Sequence, residues 1–254
     1  MRQAGIFVSA FLVVLFASFA IAQDKTVNVG WVYAMVPKPG MTKQFEEGRK
    51  RHMDWHRKQN DTWSWETWEV VTGQGVGSYI SATFGHSWQD LDTWEQKLGD
   101  ADSADTSINL QPSLASTEAG IWMYMPDVSR PIAGNAQPKL AQVNHFLLKP
   151  GSESDFNDAV RKINDAINKV NWPLHYGWYV LIDGGEQPHY VLLIHMNGWA
   201  DMAEPDPPFP AMLEKAVGKH DAEALMHAID NSIKREWSET IRYRSDLSYH
   251  PASK

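Results

Sequence analysis

His52-Met-Asp-Trp-His56 sets two imidazoles four residues apart, the spacing that puts both on one face of a helix, where they can chelate a divalent cation. Arg49 falls on the same stripe. Three readings of this face stay open: histidines packed or hydrogen-bonded as structure, a site for a polar ligand, or a metal chelate completed by His86, Asp54 or Glu66. Paired histidines at this spacing are common, so the first two are favoured and no metal is assigned. His52, His56 and Arg49 are the candidate catalytic residues. A second set, His145, His175, His189 and His195, lies in the other half of the chain. His145 alternates with Val143 and Leu147, and His195 with Val191 and Leu193, so each shares a strand face with apolar neighbours. A neutral imidazole in an apolar cavity can act as a general base because its pKa lies near working pH; a single histidine satisfied by a backbone group is the alternative. Eight of the 12 tryptophans fall between positions 31 and 122. They form either a bulky core or an aromatic-lined cavity for a planar or apolar molecule. Trp55, Trp65, Trp68, His86, His145 and His195 are the candidate ligand-binding residues.

The elements that must position these residues are written twice. At an offset of about 111 residues Lys38-Pro39-Gly40 meets Lys149-Pro150-Gly151, Phe45 meets Phe156, Trp68 meets Tyr179, Gly73 meets Gly184, and Trp88-x-Asp90-Leu91 meets Trp199-x-Asp201-Met202. Tyr124-x-x-Asp127-Val128-Ser129 later meets Tyr243-x-x-Asp246-Leu247-Ser248, with about eight residues inserted around Pro205–Pro210. In the first copy, 26–36 reads as a strand and 41–59 as a helix. A hairpin over 63–84 turns at Gly73–Gly77, a second helix follows Ser87, a polar stretch covers 99–117, and 120–125 is a strand. The second copy repeats the order: a strand over 143–148, a helix from Ser154, a hairpin over 174–196, helices from Ala211 and from Asp221 to about Trp237, and a strand over 239–244. Each βαββαβ unit has helices on one sheet face only, so the other face must be buried elsewhere, most simply against its twin. The fold class is therefore α+β, tandem ferredoxin-like units packed sheet to sheet as an intramolecular α/β barrel. Residues 1–22 read as a signal peptide, 23–130 as the first unit, 131–140 as a linker and 141–254 as the second. The copies part where helix one carries Arg49, His52 and His56 against Val160, Ile163 and Ile167, which places a site in the first half.

A strand ending in Lys-Pro-Gly, a Phe five residues later, an aromatic hairpin and Trp-x-Asp-Leu/Met opening the second helix resemble the dimeric α/β-barrel superfamily in fused form. It is similar to antibiotic-biosynthesis-type monooxygenases, EthD-like and NIPSNAP-like proteins, and the chlorite dismutase-like haem proteins. The resemblance implies a ligand between sheet and helices or within the barrel. It implies cofactor-independent oxygenase or proton-transfer chemistry, with a haem-binding protein and a non-catalytic interaction module as alternatives. The cofactor is unknown: none is favoured and haem stays open, with His145 or His195 as axial ligand.

Arg2, the apolar run from Ile6 to Phe19 and Ala20-Ile21-Ala22 form an export signal with its cleavage site, so a periplasmic or secreted protein with no membrane attachment after cleavage is expected. With 23 Lys+Arg against 31 Asp+Glu and no basic tract, the chain is a poor partner for nucleic acid. A small-molecule ligand is the expected partner, and a homo-oligomer stays open. The absence of cysteine excludes thiol catalysis and thiolate metal sites. Asn60-Asp61-Thr62 is a sequon, meaningful only in a eukaryotic secretory pathway. Gly73-Gln-Gly75-Val-Gly77 is a hairpin turn rather than a phosphate cradle. Asp100-Ala-Asp102-Ser-Ala-Asp105 reads as a solvated acidic loop.

Overall fold

The computed structural model describes residues 28–132 and 137–252; the expected signal peptide and residues 133–136 of the expected linker lie outside them. Strands β1 (Val29–Pro37), β2 (Glu66–Thr72), β3 (Tyr79–His86) and β4 (Leu114–Tyr124) make the first sheet, and β5 (Leu140–Leu148), β6 (Tyr176–Asp183), β7 (His189–Met196) and β8 (Ile233–Tyr243) the second. The helices are α1 (Thr42–Lys58), α2 (Trp88–Trp94) and α3 (Asp100–Asn109) in the first unit, and α4 (Glu153–Val170), α5 (Phe209–Val217) and α6 (Lys219–Ser232) in the second. The order βαββαβ occurs twice. The sheets join edge to edge, β2 to β8 and β4 to β6, to close one barrel in the order β1-β3-β2-β8-β5-β7-β6-β4. Closure removes the four edges that two open sheets would expose.

Alternation sorts the side chains. Trp68, Val70, Ala141, Val143, Val191 and Ile241 point into the barrel, whereas Trp31, Trp63, Trp65 and Trp94 pack outside it under the helices of the first unit. In the second unit Phe156 of the helix layer rests on Phe146, Trp178 and Tyr190 of the sheet. The two Lys-Pro-Gly turns have matching geometry. Gly40 and Gly151 take φ of 76° and 84°, a region where a Cβ is unfavourable. The lysines, Lys38 and Lys149, donate to the carbonyls of Pro112 and Asn231 at 2.9 and 2.7 Å.

Each unit sends its tail into the other. After β4, Met125 N donates to Trp178 O, Arg130 exchanges backbone bonds with Tyr176, and Val128 is buried in the second unit's core. After β8, Arg244 N donates to Thr67 O, Trp65 and Tyr249 exchange backbone bonds, and Leu247, fully buried, joins Phe45 and Tyr79. The matched Tyr-x-x-Asp-Val/Leu-Ser segments are these crossing tails.

Two segments differ from the reading of the sequence. The polar stretch expected over 99–117 contains α3 and the start of β4. A π-helical turn, Glu95–Gly99, runs α2 into α3 and turns Asp102 and Asp105 toward α1. The acidic run is therefore a helix with one polar stripe facing another, and not a solvated loop. Trp237, expected at the end of a helix, lies in β8, which pairs with β5 from Leu140 to Leu148; a register shift between Leu147 and Leu148 puts Ile233 against the helix layer, whereas Ile241 points into the barrel. Among the described residues no helix is long and apolar enough to cross a membrane.

Candidate functional site

On α1 the buried face carries Phe45, Gly48, Arg49, His52, Met53 and His56. Gly48 is where α1 meets the end of α3: a Cβ there would stand 2.0 Å from Asn109 O. This close approach brings the acidic stripe of α3 against the histidines. His52 Nδ1 lies 2.8 Å from Asp105 Oδ2, and His56 Nδ1 lies 2.9 Å from Asp61 Oδ2. The two Nε2 atoms are 3.3 Å apart, and Asp102 Oδ1 stands 3.5 Å from one and 3.4 Å from the other. Both imidazoles are buried; Asp102 keeps 24% of its side-chain exposure.

Asp61 organises the surrounding layer. Its carboxylate accepts from Trp63 N, Trp65 Nε1 and Trp94 Nε1 besides His56, and its carbonyl accepts from Tyr249 Oη. Burial pushes the Asp61 carboxyl up, but these donors outweigh it and hold it below its usual range. Burial, then the charge of Arg49 and the neighbouring His56, drives His52 well below the imidazole range. Burial also lowers His56, with Asp61 opposing. Burial raises Asp102 to about 7, with Arg49 opposing and Asp105, Asp61 and Glu95 adding to the rise. Arg49, pulled to about 10 by burial, stays a cation; it donates to Thr67 Oγ1, Ser81 Oγ and Leu247 O.

Trp55 stacks on His52 with ring centroids 5.9 Å apart, and Trp65 lies 5.3 Å from His56. His86 stacks on Trp63 at 3.6 Å and bonds Thr83 Oγ1 through Nε2. Of the three further ligands considered for the histidine pair, none is in place. Asp54 is exposed and paired with Arg57, His86 faces Thr83, and Glu66 points into the barrel. The residues that do meet the pair are Asp61, Asp102 and Asp105; Asp102 and Asp105 had a signal in the sequence, an i,i+3 spacing that puts both on one helix face as the i,i+4 spacing does for His52 and His56, and Asp61 had none.

The expected cavity walled by the first unit's tryptophans is not what these rings build. Trp31, Trp63, Trp65 and Trp94 pack on one another at centroid distances of 5.3–6.4 Å. Among the described residues cavities lie elsewhere, and neither of the two described next is lined by His52 or His56. The first, about 350 Å³, sits between sheet and helices of the second unit, where Val160, Ile163 and Ile167 stand in the places of Arg49, His52 and His56. Its walls are almost wholly apolar, and Tyr176 Oη already donates to Asn164 Oδ1. No histidine lines it, so it does not fit a haem held by a proximal imidazole.

The second cavity, about 370 Å³, is the barrel interior, lined by Trp68, Phe84, Trp122, Tyr179, Glu66, His145 and His195 among others. Trp68, His145 and His195 are thus brought together; Trp55, Trp65 and His86 belong to the first unit's helix layer. Within the barrel His145 Nδ1 meets His189 Nε2 at 3.1 Å and its ring stacks on Trp237 at 4.6 Å. Its Nε2 has no hydrogen bond, with Glu239 Oε1 3.7 Å away. His195 Nδ1 and Glu66 Oε2 are likewise buried without a hydrogen bond of good geometry, whereas Glu66 Oε1 accepts from Gln137. Burial lowers His195 and His189 to about 4, so both are neutral at pH 7. Burial raises Glu66, and the adjacent Tyr243, His250 and Gln137 offset this only in part.

No family model and no curated protein sequence matches the chain. Solved structures do. An anthrone oxidase-like protein aligns over 92% of this chain and 97% of its own at a TM-score of 0.55 and 10% identity. A "putative monooxygenase" from Lactobacillus acidophilus NCFM aligns over 90% and 98% at 0.54 and 8% identity. A mutant chlorite dismutase from Candidatus Nitrospira defluvii aligns over 86% and 92% at 0.50 and 10% identity. At such identities the likeness is one of fold, and that fold is the ferredoxin-like α/β barrel with both units in one chain.

Proposed function

We propose that this is an exported protein that binds a small, uncharged, partly aromatic molecule inside its barrel. The observation that carries the reading is the set of buried polar atoms without hydrogen bonds of good geometry, His145 Nε2, His195 Nδ1 and Glu66 Oε2, around one aromatic-walled cavity. Such atoms cost roughly 1–3 kcal/mol each when left unpaired, and a ligand that pairs them recovers it. The cavity's size lies in the range of small-molecule sites. His195 pairs beside Ala141 and His145 beside Val191 on the β5–β7 ladder. The two imidazoles are therefore four positions, roughly 13 Å, apart along the strands, which suits an elongated molecule with a hydroxyl or carbonyl at either end. Neutral His195 is the group placed to accept a ligand proton, so proton-transfer chemistry would use it rather than His52 or His56. Native mass spectrometry of the protein from its own host should show a co-purifying small molecule. Ala82→Phe, which fills the cavity, should abolish its binding while leaving the fold unchanged, and His195→Gln should weaken it about tenfold or more. Binding that survives Ala82→Phe unchanged would place the ligand elsewhere.

A further inference from the structure

We propose that His52, His56 and Asp102 form a mononuclear binding site for a divalent transition-metal ion, zinc being the best match. Each histidine turns Nδ1 to a carboxylate, at 2.8 Å for His52 and 2.9 Å for His56. A carboxylate accepts and does not donate, so Nδ1 carries the proton on both rings and Nε2 presents a lone pair on both. Those lone pairs face each other across 3.3 Å and share the space with Asp102 Oδ1. Three acceptors converging on one point repel one another unless a proton or a metal cation sits among them.

The size of the triangle is informative. Its edges are 3.3, 3.4 and 3.5 Å. Ligand atoms about 2.0–2.2 Å from a tetrahedral zinc ion stand roughly 3.3–3.5 Å from one another. The three atoms therefore outline one face of such a tetrahedron, with the fourth position left for water or a substrate. Asp105 and Asp61 behind the two imidazoles hold ring orientation and raise ligand basicity, the usual outer support of metal-bound histidine. Charge agrees. With Asp102 ionised as a ligand, Asp61, Asp102 and Asp105 against Arg49 leave two net negative charges in a largely buried layer, which one divalent ion neutralises. The second unit has Val160, Ile163 and Ile167 at the matching positions, so one ion per chain is expected.

The test uses the mature protein without a histidine tag, stripped with a chelator and titrated separately with zinc and cobalt(II). The expected results are one ion per chain by native mass spectrometry, a rise in melting temperature with zinc, and the visible bands of four-coordinate cobalt. His52→Gln and Asp102→Asn should each weaken zinc binding about 100-fold or more, and Asp105→Asn about 10–100-fold. Asp54→Asn, on the exposed side of the same helix, should leave it unchanged. Asp102 is partly exposed, so its variant folds even if those of the buried histidines do not. Failure to bind one ion, or binding that Asp102→Asn does not weaken, overturns the proposal. Neither result bears on the barrel cavity, which shares no residue with this site.

Discussion

At the scale of single residues, Asp61 carries the most consequence. It sits in the middle of a sequon, where nothing marks it, yet it accepts from one imidazole, one backbone amide and two indoles. Removing the carboxylate leaves all four donors buried and unpaired. Asp61→Ala should destabilise the protein by about 3–5 kcal/mol in chemical denaturation, and a loss below about 1 kcal/mol would show that water takes its place. His52 and His56 were readable as a pair because their spacing is a property of one helix. Their partners were not, because Asp61, Asp102 and Asp105 reach them from other segments, and a run of aspartates reads as solvated until a facing polar stripe is known.

Helix contacts and strand lengths answer to different rules. The Lys-Pro-Gly turns, both hairpins and the first helix of each unit were legible, since turn chemistry and periodicity are local. The end of the second unit was not. α6 ends at Ser232 and β8 starts at Ile233 with no glycine or proline between them, so only the pairing with β5 reveals the change of period. The hollow in the barrel was half legible: alternation put His145 and His195 on apolar faces, but whether eight strands' side chains fill the lumen depends on volumes summed around the ring. The α1–α3 contact offers a test at this scale. Gly48→Ala would press a methyl group on Asn109 O, forcing the helices apart at a cost of about 1–3 kcal/mol, measurable by urea unfolding. Unchanged stability would mean that the helices have room to spare.

For the whole molecule, stability should fall on mild acidification. Burial lowers His86, His189 and His195 from 6.5 to about 4. Between those values the unfolded chain binds protons that the folded one refuses, so stability drops as pH falls from about 6.5 toward 4 and these groups contribute no further change below it. With solvent screening allowed for, the loss is on the order of 1–2 kcal/mol per histidine. A melting temperature that stays level from pH 7 to pH 4.5 would contradict the burial of these rings. The crossing tails add a consequence in time. Leu247 and Tyr249 bond to Arg49 and Asp61 across nearly two hundred residues of chain. A ribosome delivers the first unit's histidines well before the segment that covers them. The first unit therefore waits, incomplete, for residues nearly two hundred positions further on, and a chain cut before Leu247 would damage the half that was made first.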